Sequence, residues 1–570
     1  MKHIKARYIL FAMLLASPFT MNAQTAEEET ASEPLVNVAY RQVAEEDIIG
    51  SVAVVNYEEL TEKNYNTYSL DNMQAYVSGW NGNSFWGMDA DNAGYLVLID
   101  GVPRDANNVL PTEIAQVTFL KSAQAVVLYG SRAAKGAILI TTKRATNEGL
   151  SVSVRANSGV AVAKAFPEYL GSAEYMTLYN EALANEGKAP LYSELDIYNH
   201  ASGLNPYRYP DVNYYSSDYI NKAYNRTDVT AEISGGGSKA HFYSNVSYYN
   251  QGDFLTVGEA ANNNTSRFNV RGNVDVQIND FIKAFINANT TFYDSKSAKG
   301  NYWEAAATMR PNFPQHAHPL IPIDLIDPNA VGALELISAS GNIIDGKYFL
   351  GGTQQNTTNV FADMYAAGRS KWTSRQFQFD AGLEFDLKRV LKGLRFKTTF
   401  AMDYATSYST SFDNTYAIYT PIWSNYNGKD VIVGLTKEGL DEKSGNQNIS
   451  GSTSNMTILW NGLLDYNRTF NKVHNVSAMI VAAGYQQTLS GTYHRTVNAN
   501  LGFQATYNYD RKYYADFSSA LVHSSKLAPG HRNAFSPSLT LGWRLSNEDF
   551  LKDAEGVDDL MVSLSGSVLN

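Results

Sequence analysis

Residues 95–143 read YLVLIDGVPRDANNVLPTEIAQVTFLKSAQAVVLYGSRAAKGAILITTK, and this stretch decides the fold. Its apolar runs are too short for helices and are bounded by turn residues, so they predict strands around one short helix. The predicted order is strand 95–99, an Asp100-Gly101 turn, strand 116–120, the helix, and strand 137–142. The stretch is therefore expected to form a small α+β module.

The motifs IDGVP and FLKSAQAVVLYGSRAAKGAILITTK within this module resemble the plug domain of TonB-dependent outer-membrane transporters, and specifically the SusC/RagA branch of the Bacteroidetes. The resemblance implies an α+β plug domain at 35–145, inside a transmembrane antiparallel β-barrel that starts near residue 150. It also implies active uptake of an oligosaccharide or oligopeptide, with TonB and a SusD-like surface lipoprotein as partners, and no catalytic residues, metal or cofactor. The plug-motif residues are Asp100, Gly101, Tyr129, Gly130, Arg132 and Gly136.

The composition limits the other possibilities. The chain has no Cys, so it has neither disulfides nor thiolate metal ligands. Its formal charge is −11, which argues against nucleic acid as a partner, because such binding depends on neutralising phosphates. Tyrosine is abundant, with 38 residues, and suits both membrane interfaces and ligand surfaces.

The N-terminal residues 1–23 have the pattern of a secretory signal peptide, with a basic start and an apolar run that is too short to span a bilayer. Residues 24–34 are acidic and are expected to be flexible. No later apolar segment reaches the roughly 20 residues of a spanning helix. A chain of this kind in the outer membrane must therefore cross it as a β-barrel in contact with lipid.

A short alternating segment, LVNVAY, precedes the plug at residues 35–40. In the family that the plug resembles, TonB grips an extended segment at this place by adding a strand to it. Val36, Val38 and Tyr40 are the predicted TonB contacts. The alternative is that this segment is simply the first strand of the plug.

From residue 150 onward, apolar residues alternate with polar ones, which is typical of strands with two different faces. Charges keep to the polar face, as expected where the other face meets lipid. The predicted connections alternate between long and short, like the extracellular loops and periplasmic turns of an outer-membrane barrel. The pattern predicts thirteen strands, near 150–163, 227–235, 240–250, 266–278, 281–293, 375–388, 394–408, 455–468, 473–487, 501–509, 512–522, 534–545 and 559–569.

The odd strand count predicts an incomplete barrel, because bacterial single-chain barrels have even numbers of strands and plugged transporters have about 22. We therefore expect residues 150–570 to be the N-terminal part of a longer barrel, either an incomplete record or a truncated gene. The alternative functions are a surface receptor or adhesin without transport, and a non-functional fragment of a transporter.

The predicted long loops carry a helix and many aromatic residues. Residues 172–185 predict the helix, with Ser172 as its N-cap and an apolar stripe that contacts a lid protein or ligand, or else caps the barrel mouth. Aromatic loop residues can stack on ligands or pack against one another. The candidates for ligand contact are Trp303, Trp372, Tyr416 and Trp423.

Overall fold

The structure is a computed structural model. It describes residues 35–63, 70–80, 85, 94–121, 126–145, 149–255, 257–308, 317–357, 359–551, 554 and 556–568. The predicted signal peptide and the acidic segment 24–34 lie outside these residues. None of the helices in the described ranges is long and apolar enough to cross a membrane.

The N-terminal part of the described chain is an α+β plug. A hairpin of β1 (Leu35–Val38) and β2 (Arg41–Ala44) precedes a five-stranded sheet. The sheet order is β3-β6-β7-β4-β5, in which only β4 and β7 run parallel. The sheet elements and the plug helix are β3 (Val52–Asn56), α1 (Tyr57–Lys63), β4 (Leu96–Ile99), β5 (Val102–Pro103), β6 (Ile114–Leu120) and β7 (Ala137–Thr142).

Short 3-10 helices connect the plug strands. The predicted short helix before β7 is the 3-10 segment Val127–Ala133, which is interrupted at Gly130 by a φ of 72°. The other plug segments of this kind are Glu45–Asp47, Leu70–Tyr76, Ala106–Asn108 and Pro111–Glu113.

Apolar clusters cover both faces of the plug sheet, which explains why its strands read as continuous apolar runs. Phe119 and Ile138 pack on one face, and Leu98 and Leu120 on the other. Gly136 has a φ of 102°, and a Cβ there would clash with the Phe85 ring. A side chain at this position would therefore disturb both the turn and the core.

The predicted Asp100-Gly101 turn joins β4 to β5. Both residues have positive φ, 51° and 84°, as a two-residue type I′ hairpin turn requires. The Asp100 carboxylate accepts hydrogen bonds from the Thr142 backbone N–H at 2.9 Å and from its hydroxyl at 2.6 Å. The turn is therefore tied to the end of β7.

A thirteen-stranded antiparallel sheet follows the plug and is called the wall here. Each strand predicted from the sequence corresponds to one strand of the wall. In the described residues the sheet is open, with β8 at one edge and β24 at the other. The wall strands are β8 (Ser151–Val162), β9 (Ala223–Gly236), β10 (Ala240–Gln251), β11 (Asn264–Asn279), β12 (Ile282–Ala298), β15 (Gly368–Asp386), β16 (Leu394–Asp413), β19 (Asn448–Phe470), β20 (His474–Leu489), β21 (Thr496–Tyr509), β22 (Tyr513–Ser524), β23 (Asn533–Arg544) and β24 (Met561–Ser567).

The wall connections follow the predicted alternation, with two departures. Tight links such as 280–281 and 510–512 define the short-link end of the wall, and links such as 163–222 and 299–367 define the long-link end. The last link at the short-link end, 545–560, is longer than a turn and contains the 3-10 helix Leu545–Asn547. At the long-link end, link 490–495 is shorter than link 387–393 at the opposite end. The predicted alternation is therefore wrong at these two links.

The two faces of the wall have opposite character. On β11, Asn269, Arg271 and Asn273 are buried on the inner face, whereas Phe268 and Val274 on the outer face are about 40% exposed. The inner face covers the plug, and the outer face is an apolar surface. This inside-out arrangement is that of a strand wall in contact with lipid.

The long links contain the remaining elements. They are α2 (Ser172–Asn185), α3 (Glu194–Ser202), α4 (Tyr302–Thr308), α5 (Val331–Ser338), α6 (Val360–Ala366), the hairpins β13 (Leu320–Pro322) with β14 (Tyr348–Leu350) and β17 (Ile418–Tyr426) with β18 (Lys429–Glu438), and the 3-10 helices Gly258–Asn262 and Ile323–Leu325.

The predicted helix in the first long link has the expected bounds but a different cap. Its N-cap is Gly171, not Ser172. The Ser172 hydroxyl is buried and donates to the Pro210 carbonyl at 2.8 Å, because a second loop segment packs against the helix start. Its predicted apolar stripe is largely exposed, with Leu178 at 48%.

Candidate functional site

The plug is joined to the inner face of the wall by buried charge pairs. Arg104, just after β5, donates to Asp380 on β15 at 3.0 Å and to Asp403 on β16 at 2.8 and 2.7 Å. The Arg104 and Asp380 side chains are only 2% and 3% exposed. One guanidinium thus neutralises two carboxylates from adjacent wall strands, in the forked geometry that arginine favours.

A second group of contacts lies where β7 leads into the wall. Arg144 donates to both carboxylate oxygens of Asp275 at 3.1 Å and to Asn287 at 2.9 Å. Asn273 donates to the Lys143 carbonyl at 2.9 Å. Three acidic residues on the predicted polar faces of the wall strands therefore bind arginines of the plug. They are Asp275, Asp380 and Asp403.

The YGSR part of the plug motif lies against β20, β21 and β22. The guanidinium of Arg132 lies 3.8 Å from the centre of the Tyr485 ring. Burial lowers the pKa of Arg132, and the neighbouring Tyr485 opposes this shift. A Cβ on Gly130 would lie 3.3 Å from Val522, so the backbone approaches the wall closely there. These residues make plug–wall contacts.

The predicted TonB segment is folded as a hairpin. Val36 is 1% exposed, and the Asn37 side chain donates to Thr141 at 3.0 Å. The Tyr40 ring lies 4.7 Å from the Tyr129 ring, and burial raises the pKa of both phenols. Val38 packs against the same cluster. A TonB contact at these residues would therefore require the hairpin to detach from the plug.

Charges also hold the chain after this hairpin to the short-link end of the wall. Arg511 and Arg544 form ion pairs with Glu46. The Tyr514 hydroxyl donates to Asp47 at 3.2 Å. The N-terminal side of the plug thus lies at the short-link end.

A cavity of about 1010 Å³ lies on the other side of the plug, towards the long-link end. Its floor is the plug segment 103–111, and its sides are wall strands from β9 to β20. The volume is at the upper end of the range for ligand pockets. Polar and aromatic wall residues dominate the sides, including Arg226, Tyr249, Gln251, Thr265, Arg267, Tyr293, Gln376, Gln378, Tyr404, Asn455, Tyr485 and Gln487.

Three of the four predicted ligand aromatics pack within the loops instead. Trp303 stacks on Phe166 with ring centres 6.3 Å apart. The Tyr416 hydroxyl donates to Asp363 at 2.8 Å, and burial raises the pKa of this phenol. Trp423 packs against a buried loop cluster.

Trp372 is different. Its side chain is 40% exposed, and its ring lies 5.1 Å from the ring of Tyr293, which lines the cavity. The structure therefore brings only this candidate close to the cavity. Sequence reasoning missed the lining itself, although the polar faces of the predicted strands 266–278 and 281–293 contained Arg267 and Tyr293.

Replacing Trp372 with alanine is expected to weaken ligand binding about fivefold to tenfold, because the ring lies beside the cavity lining and stacking contributes about 1 kcal/mol. Replacing Trp423 with alanine is the matched control and is expected to change affinity less than twofold. Isothermal titration of the purified protein with its ligand measures both. Equal effects of the two substitutions would contradict the placement of Trp372 at the cavity.

Comparison with known proteins agrees with this architecture. Residues 44–137 match the TonB-dependent Receptor Plug Domain family. The chain is 25% identical to TonB-dependent receptor P3 of Formosa agariphila over 93% of its own length and 50% of that protein. It is 23% identical to TonB-dependent receptor SusC of Bacteroides thetaiotaomicron over 96% of its length and 54% of that protein. The chain thus spans about half the length of the curated relatives it matches.

Solved structures show the same fold. A chain of the RagAB peptide importer in its open-open state superposes with a TM-score of 0.66 at 17% identity, over 94% of this chain and 61% of that chain. The plug inside a wall of antiparallel strands defines the class of TonB-dependent receptors. Within this class, the chain is similar in sequence to SusC and in fold to a chain of RagAB.

Proposed function

We propose that this protein takes part in TonB-dependent uptake of an oligosaccharide or oligopeptide across the outer membrane. The observation that carries the proposal is the position of the plug. It fills the inner side of the wall and separates a polar cavity at the long-link end from an N-terminal hairpin at the short-link end. A receptor or adhesin without transport has no use for such a plug. No chemical step is part of the proposed function.

The contacts between plug and wall suit a plug that moves. Several of them are ion pairs and amide hydrogen bonds, such as those of Arg104, Arg144 and Asn273. Water can replace such contacts when they separate, whereas a fully apolar interface would expose hydrophobic surface. In this proposal TonB pulls on the N-terminal segment and displaces the plug, so that bound ligand passes from the cavity.

A SusD-like lipoprotein is the proposed partner at the long-link end. The first long link exposes large apolar side chains, including Leu178, Leu195, Tyr198 and Leu204 at 48%, 67%, 63% and 82%. An exposed apolar group of this kind is typical of a protein contact. The apolar outer face of the wall is the proposed contact with outer-membrane lipid.

Growth of a deletion strain tests the proposed function. A strain that lacks the gene is compared with its parent on a panel of glycans and peptides, and uptake of the affected nutrient is then measured with and without TonB. Loss of growth on one nutrient, together with TonB-dependent entry of that nutrient, supports import. Entry that does not depend on TonB would contradict the proposal.

Deletion of residues 35–40 is expected to abolish uptake and to leave ligand binding at the cell surface intact, because the hairpin lies at the end opposite the cavity. Val38→Pro is expected to act similarly, since proline removes the backbone N–H that strand addition requires. Val38→Ala keeps this N–H and is the control. Radiolabelled-ligand uptake and surface binding are the two measurements, and unchanged uptake in the deletion would refute the TonB role of this segment.

A further inference from the structure

One row of side chains on the inner face of the wall places an arginine between two tyrosines. Arg267 on β11 is directly opposite Tyr249 on β10 and Tyr293 on β12 in the strand register. All three residues line the cavity. An arginine is thus held between two phenols across three adjacent strands.

The guanidinium of Arg267 has unused hydrogen-bonding capacity. Its Nε and Nη2 atoms are buried and make no hydrogen bond with the described residues. A buried donor without a partner is costly, and a charged one especially so. The site therefore gains free energy when a ligand supplies an acceptor, above all an anionic one.

The carboxylate near Arg267 is already engaged. Glu113 of the plug accepts hydrogen bonds from Asn269 at 2.6 Å and from the Leu110 N–H at 3.0 Å. It also lies 3.0 Å from the Nε of Arg271. Glu113 thus pairs with Arg271, which leaves the charge of Arg267 on the cavity side.

The other arginines of the cavity lining have partners within the protein. The described lining residues include the arginines 104, 132, 226 and 267 but only two acids, Asp105 and Asp403. Asp403 binds Arg104. Arg226 is 3.8 Å from Asp228 and faces the Tyr249 ring at 5.2 Å. Arg104 also binds Asp380, so two carboxylates offset its charge. The charge of Arg267 therefore remains available to an anionic group of a ligand.

We infer that the cavity selects an acidic oligosaccharide, whose carboxylate or sulfate group binds Arg267 between Tyr249 and Tyr293. This inference rests on the proposed function and names its substrate class. The amide oxygen of Gln376, which makes no hydrogen bond with the described residues, adds an acceptor for a sugar hydroxyl.

An acidic peptide fits the cavity less well. Peptide backbones are commonly recognised by strand addition to a free sheet edge. The wall strands that line the cavity are each paired on both sides, so they present no such edge. Recognition by the wall must therefore come from side chains, which suits a sugar chain better.

The test is binding of matched probes to the purified full-length protein, measured by isothermal titration. The probes are oligogalacturonate, a sulfated galactan oligosaccharide, a neutral galactan oligosaccharide and a glutamate oligopeptide of similar length. We expect at least one acidic oligosaccharide to bind at least tenfold more tightly than the neutral one, with an affinity that falls as salt rises. The two acidic sugars distinguish carboxylate from sulfate as the recognised group.

Variants assign the preference to Arg267. Arg267→Gln is expected to weaken binding of the acidic sugar at least tenfold, and Arg267→Lys, which keeps the charge, is expected to lose less. Arg389→Gln, at an exposed position in the short link 387–393, is the control and should bind like the parent. Circular dichroism and heat-modified electrophoretic mobility check that each variant is folded.

Several outcomes would overturn the inference: tighter binding of the neutral sugar or the glutamate peptide, no binding of any acidic sugar, or equal binding by folded Arg267→Gln. The proposed function fails separately. If acidic sugar binds through Arg267 but enters cells without TonB, the inference holds and the import proposal does not. If uptake is TonB-dependent but insensitive to Arg267→Gln, the reverse is true.

Discussion

Oxidation of the double variant Ile49→Cys with Gly542→Cys is expected to reduce TonB-dependent uptake to background, and a reductant is expected to restore it. Ile49 precedes the first strand of the plug sheet, and Gly542 lies on β23. A Cβ built on Gly542 is 3.6 Å from the Cβ of Ile49, within the range of about 3.5–4.5 Å for disulfides. The bond would anchor the plug between the N-terminal hairpin and its sheet, so a pull on the hairpin would not reach the sheet.

The chain offers clean controls for this experiment. It contains no native Cys, so the engineered pair is the only disulfide that can form within the chain. Each single cysteine variant should transport with and without reductant, and this also tests whether a side chain at Gly542 is tolerated near Tyr514. Ligand binding should be unchanged in all variants, because the pair lies far from the cavity floor. Full uptake by the oxidised double variant would mean that transport does not require this part of the plug to move.

Replacement of Arg104 with leucine is expected to lower the free energy of opening of the plug sheet by about 3–5 kcal/mol. It leaves the buried carboxylate of Asp380 and the partly buried one of Asp403 without their cation. Asp380 and Asp403 come from neighbouring strands and both bind this one guanidinium. Native-state hydrogen exchange of the amides in β4, β6 and β7 measures the opening free energy of the plug.

Neutralising the two acids should separate loss of charge balance from loss of packing. The triple variant Arg104→Leu, Asp380→Asn, Asp403→Asn is expected to regain about 1 kcal/mol or more relative to Arg104→Leu alone. Lys188→Leu removes an exposed ion pair with Glu186 in the first long link and is expected to have little effect. If the triple variant were no more stable than the single one, the buried charge pair would not explain the loss.

The strands of the wall could be predicted from the sequence because their signal is local. In β15, for example, Phe377 and Leu383 alternate with Gln378 and Asp380, and this pattern identifies a strand with one apolar and one polar face. Every predicted wall strand is present in the structure. The Asp100-Gly101 turn and the bounds of α2 could be predicted for the same reason, since each depends on neighbouring residues. The N-cap of α2 was wrong because Ser172 hydrogen-bonds to Pro210, which is distant in the sequence.

The ligand aromatics show the limit of such reasoning. Trp303, Tyr416 and Trp423 lie in long links, and composition alone placed them beside a ligand. In the structure they form loop cores, because these links fold on themselves through helices and hairpins of their own. Whether an aromatic residue faces a ligand or another ring depends on contacts between separate loop segments.

By itself the sequence determined that the chain folds as a plug followed by two-faced strands, and on which face of each strand a charge lies. Only the tertiary structure decided which charges meet, such as Arg104 with Asp380, and which remain open to a ligand, such as Arg267. The periodicity of a strand is a property of adjacent residues and therefore reports its faces. Which plug residue a wall charge contacts depends on strand register and on the position of the plug against the wall. No local sequence pattern encodes either.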